Sequence, residues 1–177
     1  MAYEENKSDR LEELSGSDFE IADHQPNITG WEIFDAEGDY IGDVDDLIFD
    51  KDSLKVRYII ASLENLEDLT TGAENKNNKQ VLIPIGLVTL HESEDEVLLK
   101  EAVAANIGFL PLYEKGNITP ATEVQIREVL TGNLAGNITV VVESRHPDDF
   151  YAHTHFDDKG YTRNPAGRDG LDKGEII

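Results

Sequence analysis

No cysteine occurs among the 177 residues, which excludes disulfides, iron-sulfur clusters, thiolate zinc and a cysteine nucleophile. Basic residues are scarce, with 15 Lys plus Arg against 37 Asp plus Glu and a formal charge of -22 at pH 7. A surface that negative repels phosphate backbones, and no Lys/Arg stripe offsets it, so no nucleic acid is expected as a partner. The same shortage removes the basic amphipathic face that a peripheral anchor on anionic lipid needs. Long apolar runs are also missing, and stable membrane insertion is not expected. The opening MAYEENKSDRLEELSGSD lacks the basic and then apolar order of an export signal, so a soluble cytoplasmic protein is expected. Neither G-x-S-x-G nor a glycine-rich phosphate loop is present, so catalysis has left no recognisable signature.

What is present suffices for one core, since 39% of the residues are hydrophobic. In GWEIFDAEGDYIGDVDDLIFD, residues 30–50, two apolar stretches flank Ala36-Glu37-Gly38-Asp39, a spacing that predicts a hairpin with positive φ at Gly38. Beyond it, Ile41, Val44, Leu47 and Phe49 break the period of two, which predicts a bulge or bend at Gly42. LKVRYIIASL is apolar on both faces and reads as a central or covered strand, whereas residues 64–80 read as a long loop that Leu66 and Leu69 could anchor. QVLIPIGLVTL is interrupted by Pro84, which fits an edge or a bend between strands, and Val97-Leu98-Leu99 closes the series. Five or six short strands without an intervening long helix predict a small closed antiparallel barrel.

Residues 101–113 predict a helical turn and then an apolar clamp in which Phe109, Leu110, Leu112 and Tyr113 cover one barrel end. A firmer helix is expected from Thr119, a good N-cap, with Pro120 at the first position and Glu123 near the positive end of the helix dipole. Val124, Ile126, Val129 and Leu130 give its apolar side and Gly132 its stop, while Ile138 to Val142 could add an edge strand or pair across a dimer. Leu11, Leu14, Phe19 and Ile21 could fasten the N-terminal arm. From Glu143 onward apolar residues are isolated among Gly, Pro and Asp, which predicts a solvated arm without a core. The resulting division is 1–27 N-terminal arm, 28–100 barrel, 101–143 helical and β extension packed on the barrel or a dimer partner, and 144–177 C-terminal arm.

Two clusters invite metal chemistry. Asp35, Glu37, Asp39, Asp43, Asp45 and Asp46 could gather a hard cation, but their order is not that of an EF-hand, and solvated turn and strand faces are the simpler reading. His153 and His155 lie two apart and, on an extended segment, would point the same way, with Asp157 two further on. On an arm, they read as solvated histidines or a dimer contact. The other histidines, His24, His91 and His146, show no ligand spacing. Trp31 reads as a core or barrel-end aromatic, or as an exposed anchor for a partner.

The run GWEIFDAEGDYIGDVDDLIFD, followed by KVRYIIASL and VLIPIGLV, resembles the PRC-barrel family, most strongly over residues 28–99. A wider similarity, through LEELSGSDFEIADHQPNITGW, FLPLY and ITPATEVQIREVL, is to soluble bacterial proteins like the photosynthetic reaction-centre H subunit. The resemblance implies a mainly β fold, a small bent antiparallel barrel with short helical additions and terminal arms, used as an assembly module. Gly30, Gly38, Gly42, Asp46, Asp50, Arg57, Tyr58 and Pro84 match the family pattern and read as structural. The expectation is therefore a non-catalytic interaction or assembly adaptor with no catalytic, cofactor or metal residues, a homodimer, and a protein partner with a basic face. The alternative is a divalent-metal-binding protein or metal-dependent enzyme using acidic and histidine side chains.

Overall fold

The structure is a computed structural model that describes residues 8–22, 25–64, 79–91, 93–132, 146, 148–157 and 175–176. Its strands are β1 (Leu11–Glu13), β2 (Glu20–Ile21), β3 (Glu32–Phe34), β4 (Tyr40–Asp50), β5 (Lys55–Leu63), β6 (Lys79–Pro84), β7 (Val88–Leu90), β8 (Glu96–Leu99) and β9 (Glu175–Ile176). Two α-helices, α1 (Glu101–Ala104) and α2 (Pro120–Leu130), lie among the described residues. The fold is mainly β, as expected: seven strands form one sheet in the order β6-β5-β4-β3-β8-β7, with β1 on β4, curled into a half-barrel.

The sheet departs from a uniformly antiparallel barrel at one ladder, because β3 and β8 run parallel. Some 60 residues of chain separate them, ample for the crossover that a parallel pair requires. Curvature comes from β4. Ile33 pairs with Gly42 and Phe34 with Tyr40, so Ile41 is an extra residue beside Gly42, where a bulge was expected. A second irregularity falls at Asp45, between the pairs Val44–Ala61 and Asp46–Ile60. A Cβ on Gly42 would stand 2.0 Å from the Ser62 carbonyl oxygen, so only glycine lets β5 cross so closely. Gly38 takes φ +91 in the hairpin loop, whose Asp35 accepts the amides of Glu37 and Asp39.

Packing follows the period of two only where one face is open. Along β4, Gly42 and Val44 are buried between more exposed neighbours, but Asp46 to Asp50 are all buried. That change marks where other chain segments cover the outer face. The N-terminal arm pairs Leu11, Glu12 and Glu13 with Asp50, Phe49 and Ile48, and the Phe19 ring lies 4.9 Å from that of Phe49. Asp46 tethers the same arm by accepting hydrogen bonds from Ser15 Oγ and the Ser15 amide. Pro84 ends β6 opposite Tyr58, at the bend into a 3-10 turn, as its missing N–H requires.

Helix α2 begins as its sequence dictates, with Thr119 Oγ1 accepting the Thr122 amide at 3.1 Å and Pro120 at the first position. It stops before Gly132, whose φ is +77. The clamp of residues 109–113 is only half formed. Leu110 and Tyr113 are buried, whereas Phe109 is 45% and Leu112 63% exposed. Leu112 bridges to Val81 and the Tyr113 amide bonds to Gln80, so this segment runs along the outer edge of β6 and turns alternate side chains outward.

The largest correction concerns the C-terminal arm. Among its described residues, His146, Tyr151, His155 and Phe156 are buried, and Tyr151 and Phe156 belong to the hydrophobic core. Spacing hid this, because two 3-10 turns, Asp148–Ala152 and Thr154–Phe156, gather side chains that look isolated in the sequence. Docking is close: a Cβ on Gly86 would fall 2.3 Å from the Thr154 carbonyl oxygen. The expectations on Ile138 to Val142, on His24, and on residues 65–78 lie outside the described residues.

Candidate functional site

The residues with the most distinctive chemistry meet where the two arms cross the sheet. Asp50 ends β4 and begins the turn to β5. Its Oδ1 accepts the amides of Asp52 at 2.9 Å and Ser53 at 3.3 Å, while Oδ2 accepts Arg10 Nη2 at 2.7 Å, Ser53 Oγ at 2.8 Å and Arg57 Nη2 at 3.0 Å. Burial alone would raise this carboxyl, but the hydrogen bonds from Arg10, Ser53, Arg57 and the Asp52 amide outweigh it and hold it well below the ordinary carboxylate range. The turn it organises contains Leu54 at φ 56, a left-handed conformation costly for a side chain of this size.

Both guanidinium groups also face Tyr151, with Arg10 Cζ 5.0 Å and Arg57 Cζ 4.6 Å from its ring centre. The Tyr151 hydroxyl donates to Glu123 Oε1 at 2.8 Å, and the Tyr58 hydroxyl donates to the same oxygen at 3.0 Å. Glu123 Oε2 has no hydrogen-bond partner among the described residues and lies 3.6 Å from His146 Nε2. That nitrogen is 3.0 Å from the Pro120 carbonyl, which can only accept, so Nε2 carries the hydrogen. His146 stacks on Phe150 with ring centres 3.8 Å apart, and its carbonyl accepts Arg10 Nη1. The N-terminal arm, the sheet, α2 and the C-terminal segment thus share one buried polar knot.

Glu123 differs from its expected role. It was read as a negative charge near the positive end of the helix dipole and does lie in the first turn, but it is only 1% exposed, on the same side of α2 as Ile126 and Leu130. Burial pushes its carboxyl up to about 7, against the downward pull of the Tyr151 and Tyr58 hydrogen bonds and the charges of Arg10 and Arg57. The folded protein therefore holds a proton that the unfolded chain releases near 4.5, so this group's contribution to stability falls as pH rises from about 4.5 to about 7, then levels. Glu123→Gln mimics the protonated form. We expect it to match the parent at pH 4.5 and to exceed it by up to about 3 kcal/mol at pH 8, read by urea unfolding at both values. A parallel loss of stability at both pH values would assign Glu123 a purely structural role.

The acidic cluster is dispersed rather than gathered. Asp35, Glu37 and Asp39 bring ligand atoms within 4.8 Å of one another, the one such group of three or more among the described residues. Asp35 is already engaged by the loop amides. Asp45 instead accepts Gln80 at 2.6 Å, and Asp46 holds the N-terminal arm. His153 and His155 do come together, with ring centres 4.2 Å apart, but not as solvated neighbours. His155 is buried, its Nδ1 lacks a partner among the described residues, and its amide donates to His153 Nδ1 at 3.2 Å. Burial, then the charges of His153, Arg127 and Lys100, lower His155 to about 4, and burial and Arg127 lower His153. Trp31 is partly buried against the core.

Asp50, Arg57 and Tyr58 were visible in the sequence only through the resemblance, whereas Arg10, Glu123, His146 and Tyr151 were missed. A carboxylate in the apolar stripe of α2 was the available signal for Glu123. Arg10, His146 and Tyr151 sit beyond the expected barrel bounds and gave none.

These features define a bent, mainly β module whose terminal segments are locked to it by buried charge. Residues 21–103 match the family model described as the PRC-barrel domain, so the chain carries a PRC-barrel domain over that span. No curated protein matches the chain.

Proposed function

We propose that the chain is a non-catalytic interaction and assembly adaptor of the cytoplasm, which forms a homodimer and engages a protein partner with a basic face. The observation that carries this reading is the outward placement of Leu112 and Phe109 on a body otherwise consolidated by its own arms. Side chains of that size leave water favourably when a second surface covers them, at about 25 cal/mol per Å² of apolar area. A symmetric pair of copies is the commonest way to cover such a patch. The acid excess then faces outward, where Glu37, Asp39 and Asp45 are exposed on and beside the hairpin, and it selects a basic partner.

The two contacts respond to salt in opposite directions. Two copies each carrying a formal -22 repel, so screening should strengthen the dimer, whereas attraction to a basic partner should weaken. Light scattering at micromolar concentration should give twice 19.7 kDa, more completely at 0.5 M than at 0.05 M NaCl, and the double variant Phe109→Ser, Leu112→Ser should be monomeric. A mass near 19.7 kDa at both salt concentrations sinks the dimer. A partner captured from native cells that binds equally at both concentrations sinks the charge-led interface.

A further inference from the structure

We propose that the C-terminal segment, His146 and residues 148–157, is a strap whose closure over the sheet is gated by the protonation of Glu123, a device the adaptor reading does not assign. The strap is held while that carboxyl is neutral and released when it ionises. The segment is built to move as one piece. Its backbone hydrogen bonds, from the Phe156 amide to the His153 carbonyl at 2.9 Å and from the Asp157 amide to the Thr154 carbonyl at 3.2 Å, are internal to it. Among the described residues no strand of the seven-stranded sheet pairs with it, so it can leave without breaking a ladder. Side-chain burial holds it, with Tyr151 and Phe156 in the core and Thr154 passing close over Gly86.

Glu123 sits where this strap meets α2 and β5. Its Oε1 accepts the Tyr151 hydroxyl of the strap at 2.8 Å and the Tyr58 hydroxyl of β5 at 3.0 Å, so that oxygen is satisfied in either protonation state. Burial pushes both tyrosines up, and they remain neutral donors throughout. The proton of the neutral acid therefore belongs on Oε2, which is sealed from solvent and has no hydrogen-bond partner among the described residues. Ionisation puts charge on that oxygen with the His146 Nε2–H 3.6 Å away, too far for a hydrogen bond and already shared with the Pro120 carbonyl. A buried anion short of donors costs far more than a buried neutral acid, and water reaches Oε2 once the strap lifts His146 and Tyr151 away.

The other charges around the carboxyl do not replace the missing donor. Arg10 on the N-terminal arm and Arg57 on β5 favour the anion by their charge, but both are hydrogen-bonded to Asp50, whose negative charge offsets part of theirs. Arg127, one turn further along α2, lies over the Phe150 ring at 5.1 Å. Desolvation wins, and the carboxyl ionises at about 7 under the closed strap against 4.5 when hydrated. The closed form thus binds the proton more tightly than the open one. Opening is promoted as pH rises from about 4.5 to about 7 and levels above that.

The test is hydrogen exchange of the isotopically labelled full chain at pH 5.5 and pH 8, read by amide NMR and corrected for the intrinsic rate at each pH. Protection of the Phe156 and Asp157 amides should fall about 10- to 25-fold between the two values. Ile59 and Ala61 in β5 should stay at least about tenfold better protected than the strap at pH 8. The carbon shift of the Glu123 carboxyl, followed in the same protein and needing no variant, should change with the same midpoint as strap protection. Glu123→Gln should leave strap protection equal at the two pH values. Equal protection of strap and β5 at both values means that the strap opens only on global unfolding, and overturns the proposal. So does strap protection that ignores pH in the parent, a midpoint that departs from that of Glu123, or a pH response that survives in Glu123→Gln.

Discussion

A chain ended after Glu143 is expected to melt at least about 15 °C below the full chain, or not to fold, whereas one ended after Asp157 should retain most of its stability. The difference isolates residues 144–157. That stretch carries Tyr151 and Phe156 into the core, where Phe156 stands edge-on to Tyr58 at 5.4 Å and Tyr151 carries the hydroxyl that Glu123 accepts. Removing a large buried aromatic costs about 3–5 kcal/mol each, and two together approach the whole margin of a typical domain. The ordering cost of the segment, about 1–2 kcal/mol per residue of backbone, is regained on truncation and limits the net loss. The loss still dominates, because deletion also strips the cover from Arg10, Arg57 and Glu123 and leaves a depression around buried charge. Thermal unfolding of the two truncations decides the matter. Midpoints within about 2 °C of each other would return the segment to the status of a passive arm.

Legibility followed the length over which a pattern holds. The hairpin at Gly38, the bend at Gly42, the double-faced strand Lys55–Leu63 and the Thr119 cap each rest on a few adjacent residues, and local chemistry fixed them. The parallel β3–β8 ladder joins residues more than 60 apart, which no local period reports. The arms were harder still. Arg10 reaches Asp50 across 40 positions and its guanidinium touches the His146 carbonyl across 136, contacts that the sequence records only as one more base and one more histidine. Isolated aromatics between Gly, Pro and Asp read as exposed because burial there is produced by 3-10 turns, which lack the 3.6 or 2.0 repeat that exposes a buried face. The clamp failed for a related reason: residues along a sheet edge alternate, so Tyr113 goes inward while Leu112 goes out.

Asp50→Asn should cost about 3–5 kcal/mol, the largest loss expected of any single polar substitution in the chain. The side chain keeps its shape and one oxygen, so the effect reads the charge. Without it, Arg10 and Arg57, both nearly buried and both over the Tyr151 ring, lose the carboxylate that they share. Asp52→Asn is the control, since that carboxylate is half exposed and 3.9 Å from Arg10, and its loss should stay within about 1 kcal/mol. The pH profile separates the two further. Asp50 is held below its unfolded value of 3.8, so its stabilisation is complete above that value and disappears as pH falls through the lower folded value. The Asn variant should lose this part of the acid sensitivity and approach the parent progressively as the pH falls from 3.8 towards the lower folded value. A second substitution, Arg57→Met, removes one of the stranded charges, and it should cost less in the Asp50→Asn background than in the parent because an unpaired buried guanidinium is worth removing. Urea unfolding of the four proteins at pH 7 gives that coupling, and additive losses would mean that the two arms are held by packing around Tyr151 rather than by the charge of Asp50.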